Sequence, residues 1–333
     1  MKKRTLNLLI IVIFTLIVLY FSLKDNYHEI ITSILNADIR WLFISYLLVL
    51  SYTFLKAIVT NNIINNFKGY GIKKTFSLQL MTFFFNAVTP FSTGGQPFQV
   101  YVLKKNKLTL SEGTNVVIQE SIIHQIAIII VGFLTIIINQ IFKICPIDGI
   151  IFVLLIVGFL ANLLVLVLLF VVSYGKKIDK LLIGWVVNLL TFFKIVKDKE
   201  KQTKKLNKSI ENFNVNARLL ISDKKKFIKL ILLNCLAFMC LYIVPLTVLF
   251  SLGNYNSFDG VTAIVLVSFV SIISSYVPLP GGIGGQEYLF VTLFGFYLQK
   301  TLLSTLMLLW RFITYYLPMI VGAIIFNIKQ KEI

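Results

Sequence analysis

The sequence predicts an all-α polytopic membrane protein, with about six full spans plus two opposed re-entrant, broken-helix hairpins that form an inverted repeat. Three observations predict it. Hydrophobic residues fill 57% of the 333 positions and the mean hydropathy is +0.86, well above a soluble globular chain. They gather in stretches near the ~20 residues that cross a bilayer. Two further apolar stretches are interrupted by one motif, P-x-x-x-G-G-Q, as Pro90-Phe91-Ser92-Thr93-Gly94-Gly95-Gln96 and as Pro280-Gly281-Gly282-Ile283-Gly284-Gly285-Gln286.

Taken in order, the basic start Met1-Lys2-Lys3-Arg4 precedes an apolar run over 6–23. The run is too long for a signal peptide and lacks a small-x-small cleavage site, so it reads as a first, uncleaved span. Further spans are expected at 41–60, 113–138, 150–173, 228–251 and 302–326. The interrupted regions are 76–101 and 261–299. Proline removes a backbone donor and glycine lets the chain reverse, so a helix entering either motif should stop, turn and restart. Pro97 suits the first turn of one restart. Glu287 suits the other, where the helix dipole favours a carboxylate. Such breaks are tolerated at membrane depth only where the freed backbone is buried in protein or lines a cavity, and paired breaks in two halves point to a binding site.

Charge fixes the expected topology. Of the ionisable residues, 32 are Lys or Arg and 14 are Asp or Glu, giving +18. These charges sit between apolar runs rather than on a polar domain, so no specific nucleic-acid binding is expected. With both interrupted regions treated as re-entrant, segments 1–5, 60–75, 101–115, 174–229 and 329–333 share one side and carry nearly all the positive charge. By the positive-inside rule that side is cytoplasmic, with both termini. The chain then divides into a first half (1–173), a basic segment (174–229) and a second half (230–333). Within the basic segment, 181–196 reads as an interfacial amphipathic helix. The lysine-rich 197–229 reads as positive-inside charge or as a contact surface for anionic headgroups.

Cys145, Cys235 and Cys240 have no metal-ligand spacing, and His28 and His124 are the only histidines. No metal, cofactor or catalytic residue is expected. Ionisable residues inside the membrane are functional-site candidates by default, each with a partner. Arg311 falls near the middle of its span and should pair with Glu287 or Glu120. Glu120 and His124 share a helix face. Lys56, near the end of its span, reads as snorkelling to the interface. Gln79, Thr82 and Asn86 lead into the first turn and Ser268, Ser271 and Ser275 into the second, as helix–helix glue or as the wet wall of a path.

The run Pro280-Gly281-Gly282-Ile283-Gly284-Gly285-Gln286-Glu287, the later Trp310-Arg311-Phe312-Ile313-Thr314-Tyr315-Tyr316 and the first-half motif resemble the lysylphosphatidylglycerol synthetase transmembrane-region family. This is the flippase-like membrane domain of the multiple peptide resistance factor. The resemblance spans about 8–327. It implies a domain of a bacterial cytoplasmic membrane that moves or handles anionic lipid, aminoacylated phosphatidylglycerol in its best-known members. It departs in two places. The synthase domain of large members is expected to be absent here, so the chain alone is not expected to be an enzyme. Ser121 and His124 stand where the family often has an arginine and an acid.

The expected substrate site comprises Gly94, Gly95, Gln96, Glu120, Gly284, Gly285, Gln286, Glu287 and Arg311. Backbone N–H groups at the two restarts and Arg311 would hold a phosphate, with Glu287 meeting a cation or proton. The expected partners are anionic phospholipids. A separate lipid-modifying synthase and further copies of the chain remain open. Rival readings are a phosphatidylglycerol lysyltransferase and a scaffold recruiting a synthase through 197–229.

Overall fold

The computed structural model describes residues 27–147, 149–174, 222–275, 277 and 279–329. The expected first span over 6–23, the amphipathic helix over 181–196 and most of the lysine-rich segment lie outside these residues. Among the described residues all regular structure is helical.

A short helix α1 (Tyr27–Leu35) precedes α2 (Ile39–Ile64), which starts where Asp38 accepts the Arg40 N–H at 2.8 Å. The first hairpin is α3 (Ile72–Ala87), a turn at Pro90–Ser92 and α4 (Gly95–Lys105). The long α5 (Leu110–Phe142) opens with a capping box, Thr109 and Glu112 each bonding the other's backbone N–H. After α6 (Gly149–Tyr174) the description resumes at α7 (Lys224–Tyr242), which Pro245 separates from α8 (Val244–Ser251). The second hairpin is α9 (Gly260–Ser274), a turn at Pro280–Gly282 and α10 (Gly285–Phe294). Finally α11 (Lys300–Arg311) runs through a π-helical turn, Phe312–Tyr316, into α12 (Leu317–Lys329).

Among the described residues, five helical stretches are long and apolar enough to cross a membrane: Ile39–Ile64, Leu110–Phe142, Gly149–Val171, Lys224–Ser251 and Lys300–Lys329. They coincide with the five expected spans that fall in the described residues. Their outward faces stay apolar, with Phe133, Phe152, Val157 and Leu164 exposed, as hydrocarbon requires.

Contacts between chain ends show how the hairpins are set. At one end of the bundle Lys226 Nζ bonds Asn66 Oδ1 (2.6 Å) and Lys329 Nζ bonds Ser77 Oγ (3.0 Å). At the other, the Asp38 N–H bonds the Ser251 carbonyl (2.8 Å), Tyr297 Oη donates to the Ile144 carbonyl and Thr301 reaches Glu29 (3.1 Å). The first hairpin therefore leaves from and returns to the end shared by Asn66 and Lys329. The second does so at the opposite end, and the two turns pack against each other in the interior. Charge segregates likewise among the described residues. The first end carries Lys68, Lys73, Lys74, Lys104, Lys105 and Lys107, then Lys224, Lys225, Lys226 and Lys229, against Glu112 and Asp223. The second balances Glu29, Asp38 and Asp259 with Arg40, Lys143 and Lys300.

A constant offset of 190 residues carries Pro90 to Pro280, Gly95 to Gly285, Gln96 to Gln286 and the start of α5 at Leu110 to the start of α11 at Lys300. The turns share their backbone as well as their letters. Phe91 and Ser92 lie at φ 55° and 53°, Gly281 and Gly282 at 61° and 64°. The left-handed conformation is free to glycine and strained for Phe and Ser.

Candidate functional site: a cavity where the two turns meet

A cavity of about 810 Å³ lies between the hairpin tips, large enough for a drug-sized group. Both halves line it. Ser92, Gln96 and Gln99 come from the first hairpin, Gly282 and Gln286 from the second, and Lys56, Glu120, His124 and Arg311 from the spans. Its wall mixes polar side chains from the two stripes with apolar ones such as Phe83, Val117 and Leu169. Gln79, Thr82, Asn86, Ser271 and Ser275 all reach it, whereas Ser268 bonds Thr135 (2.9 Å) and joins α9 to α5. Five of the six stripe residues thus line the cavity, while Ser268 joins two helices.

Arg311 is buried at the end of α11, its side chain 5% exposed. Nε bonds Glu287 Oε1, Nη1 bonds Gln286 Oε1 (2.8 Å) and Nη2 bonds the Gly281 carbonyl (3.1 Å). The guanidinium lies 4.8 Å from the centre of the Tyr315 ring, and Tyr315 Oη bonds the Ala87 carbonyl (3.1 Å) at the end of α3. One guanidinium thereby holds the second turn, and its aromatic neighbour ties that turn to the first hairpin. Of its two expected partners, Arg311 takes Glu287. The other oxygen of Glu287 accepts the Gly284 N–H (2.6 Å), and Glu287 does not line the cavity. It orients Arg311 instead of meeting a cation, a correction to the expected role.

The restart glycines also differ from expectation. The Gly94 N–H donates to Thr89 Oγ1 and the Gly95 N–H to Asn86 Oδ1, both at 2.8 Å. With the Gly284 N–H given to Glu287, these three amides are already satisfied and do not face a phosphate. Gly94, Gly95, Gly284 and Gly285 all lie outside the lining. Gly94, Gly95 and Gly285 allow close approach, a Cβ on Gly95 coming within 2.5 Å of Asn86 Oδ1 and Thr82 Cγ2, whereas Gly284 has open space and supplies a left-handed turn at φ 86°. The carboxamides of Gln96 and Gln286 face the cavity in their place. The repeat relates them, Gln286 bonding Arg311 while Gln96 bonds Ser121 (3.5 Å), the residue 190 positions before Arg311.

Lys56 corrects a second expectation. α2 runs on to Ile64, so Lys56 sits two turns inside it and does not snorkel. Its Nζ lies 3.3 Å from Glu120 Oε1 and 3.4 Å from His124 Nδ1. Glu120 Oε1 also accepts from Gln79 (3.0 Å), which reaches Thr60 as well (2.7 Å). A lysine in an apolar run was the available signal, but the expected span ended at 60 and put Lys56 near its end. Asn162, buried on α6 and bonded by Gln125 (2.6 Å), was also missed. A lone polar residue within the run 150–173 was its only mark.

Among the described residues lining the cavity, the charged groups are Lys56, Arg311 and Glu120; with Glu287 paired to Arg311 just behind the wall, each cation is matched by one carboxylate. No cluster of His, Cys, Asp or Glu able to hold a metal occurs among the described residues.

Comparison with known proteins agrees with this architecture. A membrane protein of Archaeoglobus fulgidus, described only as a UPF0104 membrane protein, is 27% identical over 312 residues, covering 87% of this chain and 88% of its own length. The sequence model described as the lysylphosphatidylglycerol synthase TM region matches residues 6–322. That match takes in both hairpins, the cavity, four of the five described spans and most of the fifth, and the chain belongs to this family.

Proposed function

We propose that the protein translocates, or holds for translocation, the headgroup of an anionic phospholipid, phosphatidylglycerol and its aminoacylated form included, across a cytoplasmic membrane. The observation that carries this reading is the cavity at the meeting point of two opposed hairpins, on which the cations of two buried ion pairs, Lys56–Glu120 and Arg311–Glu287, both lie. The guanidinium fork suits a phosphate. Arg311 would turn from Gln286 toward the ligand while Glu287 keeps it oriented. The lysine-rich end would face the cytoplasm. Rocking of one repeat against the other would open the cavity to each side in turn.

The test is translocation of fluorescent phosphatidylglycerol in proteoliposomes, read with a membrane-impermeant quencher, for wild type, Arg311→Ala and Lys56→Met. Protein-dependent translocation that falls at least tenfold in both variants is the expected result. Rates equal to empty liposomes with folded wild-type protein would refute it.

A further inference from the structure

The cavity holds two ion pairs that are built differently. Arg311–Glu287 is saturated: both carboxylate oxygens and three guanidinium nitrogens are engaged. Lys56–Glu120 is looser. Its separation is 3.3 Å, and Glu120 Oε2 is buried with no hydrogen-bond partner among the described residues, although Glu120 lines the cavity and is 6% exposed. His124, also on the lining, sits on the far side of the same ammonium at 3.4 Å.

We propose that Lys56, Glu120 and His124 form a second ion site of the cavity, at which a phosphodiester anion is taken up together with one proton. This deepens the transport reading and rests on it. Lys56 can release Glu120 and turn to the anion, because its salt bridge is long and its second partner is a neutral acceptor. That exchange would leave a carboxylate buried in low dielectric without its cation, which is strongly unfavourable. A proton restores neutrality, on Glu120 Oε2, the oxygen left open, or on His124, which can then pair with Glu120 across one helical turn. Charge balances: one anion and one proton enter, and both leave when Lys56 re-forms its bridge. The other titratable groups on the same lining are Tyr52 from α2, Tyr242 from α7, Arg311 at the end of α11 and Tyr315 just after it. Arg311 is held by Glu287, so the cluster remains the exchangeable pair.

The experiment is calorimetric titration of the detergent-solubilised full chain in buffers of different ionisation enthalpy. One arm uses short-chain dihexanoyl phosphatidylglycerol and the other glycerophosphoglycerol, the same headgroup without chains. Wild type should take up about one proton per anion bound, and its Kd should rise about tenfold per pH unit above the titration of the site. Glu120→Gln, which keeps the acceptor for Gln79, should bind the anion with uptake close to zero. Binding of the lipid but not of the bare headgroup would assign the site to a membrane ligand, and binding of both to the phosphodiester itself, each with the proton. Anion binding by wild type with no proton uptake, or unchanged uptake in folded Glu120→Gln, would overturn this inference while leaving the transport reading standing. Failure of folded wild type to bind either ligand would remove both.

Discussion

Gly281 and Phe91 occupy equivalent places in the two turns, at φ 61° and 55°, yet only one of them could be exchanged freely. A Cβ on Gly281 would fall 2.1 Å from the Tyr315 ring, and Tyr315 is fixed between Arg311 and the Ala87 carbonyl. Gly281→Ala should therefore lose about 1–2 kcal/mol for the left-handed backbone alone and also push Tyr315 off the guanidinium, lowering translocation. Gly282→Ala meets nothing nearer than Gln286 at 3.1 Å and should show the backbone cost only. Thermal unfolding in micelles beside the liposome assay separates the two. Arg311→Lys should lose at least tenfold in rate, because an ammonium cannot span Glu287, Gln286 and Gly281 together. Arg311, Glu287 and Glu120 were legible in the sequence because a charge in an apolar run has few explanations. The partners of Gly94 and Gly95 were not. Whether Thr89 and Asn86 turn back onto those amides depends on how the turn folds, which spacing does not encode. Lys56 was misread for a related reason, since a helix end judged four residues early moves a buried lysine to the interface.

The hairpins and spans were legible because proline, paired glycines and run length act locally. Their pairing was not, since it depends on close contacts such as that of α12 with α3. There a Cβ on Gly322 would come within 2.3 Å of the Leu80 carbonyl. Backbone cannot yield as a flexible side chain does, so Gly322→Val should separate the two helices and destabilise the fold by about 1–3 kcal/mol, read as a lower unfolding midpoint. The second hairpin is anchored by Asp259, whose carboxylate accepts the Thr262 N–H (2.8 Å). That bond holds the exposed Asp259 carboxyl below its ordinary range. A depressed folded-state value stabilises above the unfolded value, about 3.9, and the benefit fades as pH falls through the folded value. Asp259→Ala should accordingly cost about 1 kcal/mol at neutral pH, and the difference from wild type should shrink below about pH 4. A denaturation series across pH 3–7 checks it.

For the whole molecule, the inverted repeat predicts which surfaces meet which solution. In a cysteine-free background, Lys107→Cys at the lysine-rich end and Asn254→Cys at the other should be labelled from opposite sides of the membrane. Labelling of both from one side would contradict the proposed orientation. The doubled motif made the repeat legible, but not that the tips touch, because contact between two turns 190 residues apart is a property of the assembled bundle. The cavity they form carries one more consequence. At about 810 Å³, it can enclose a headgroup but has no room for that headgroup together with two long hydrocarbon tails. In the proposed transport the tails would stay in the surrounding oil while the head crosses. Selection would then act on the charged end alone, so lipids of the same head and different chain length should compete as equals. A membrane that remodels its fatty acids with temperature would leave such a carrier's preferences untouched.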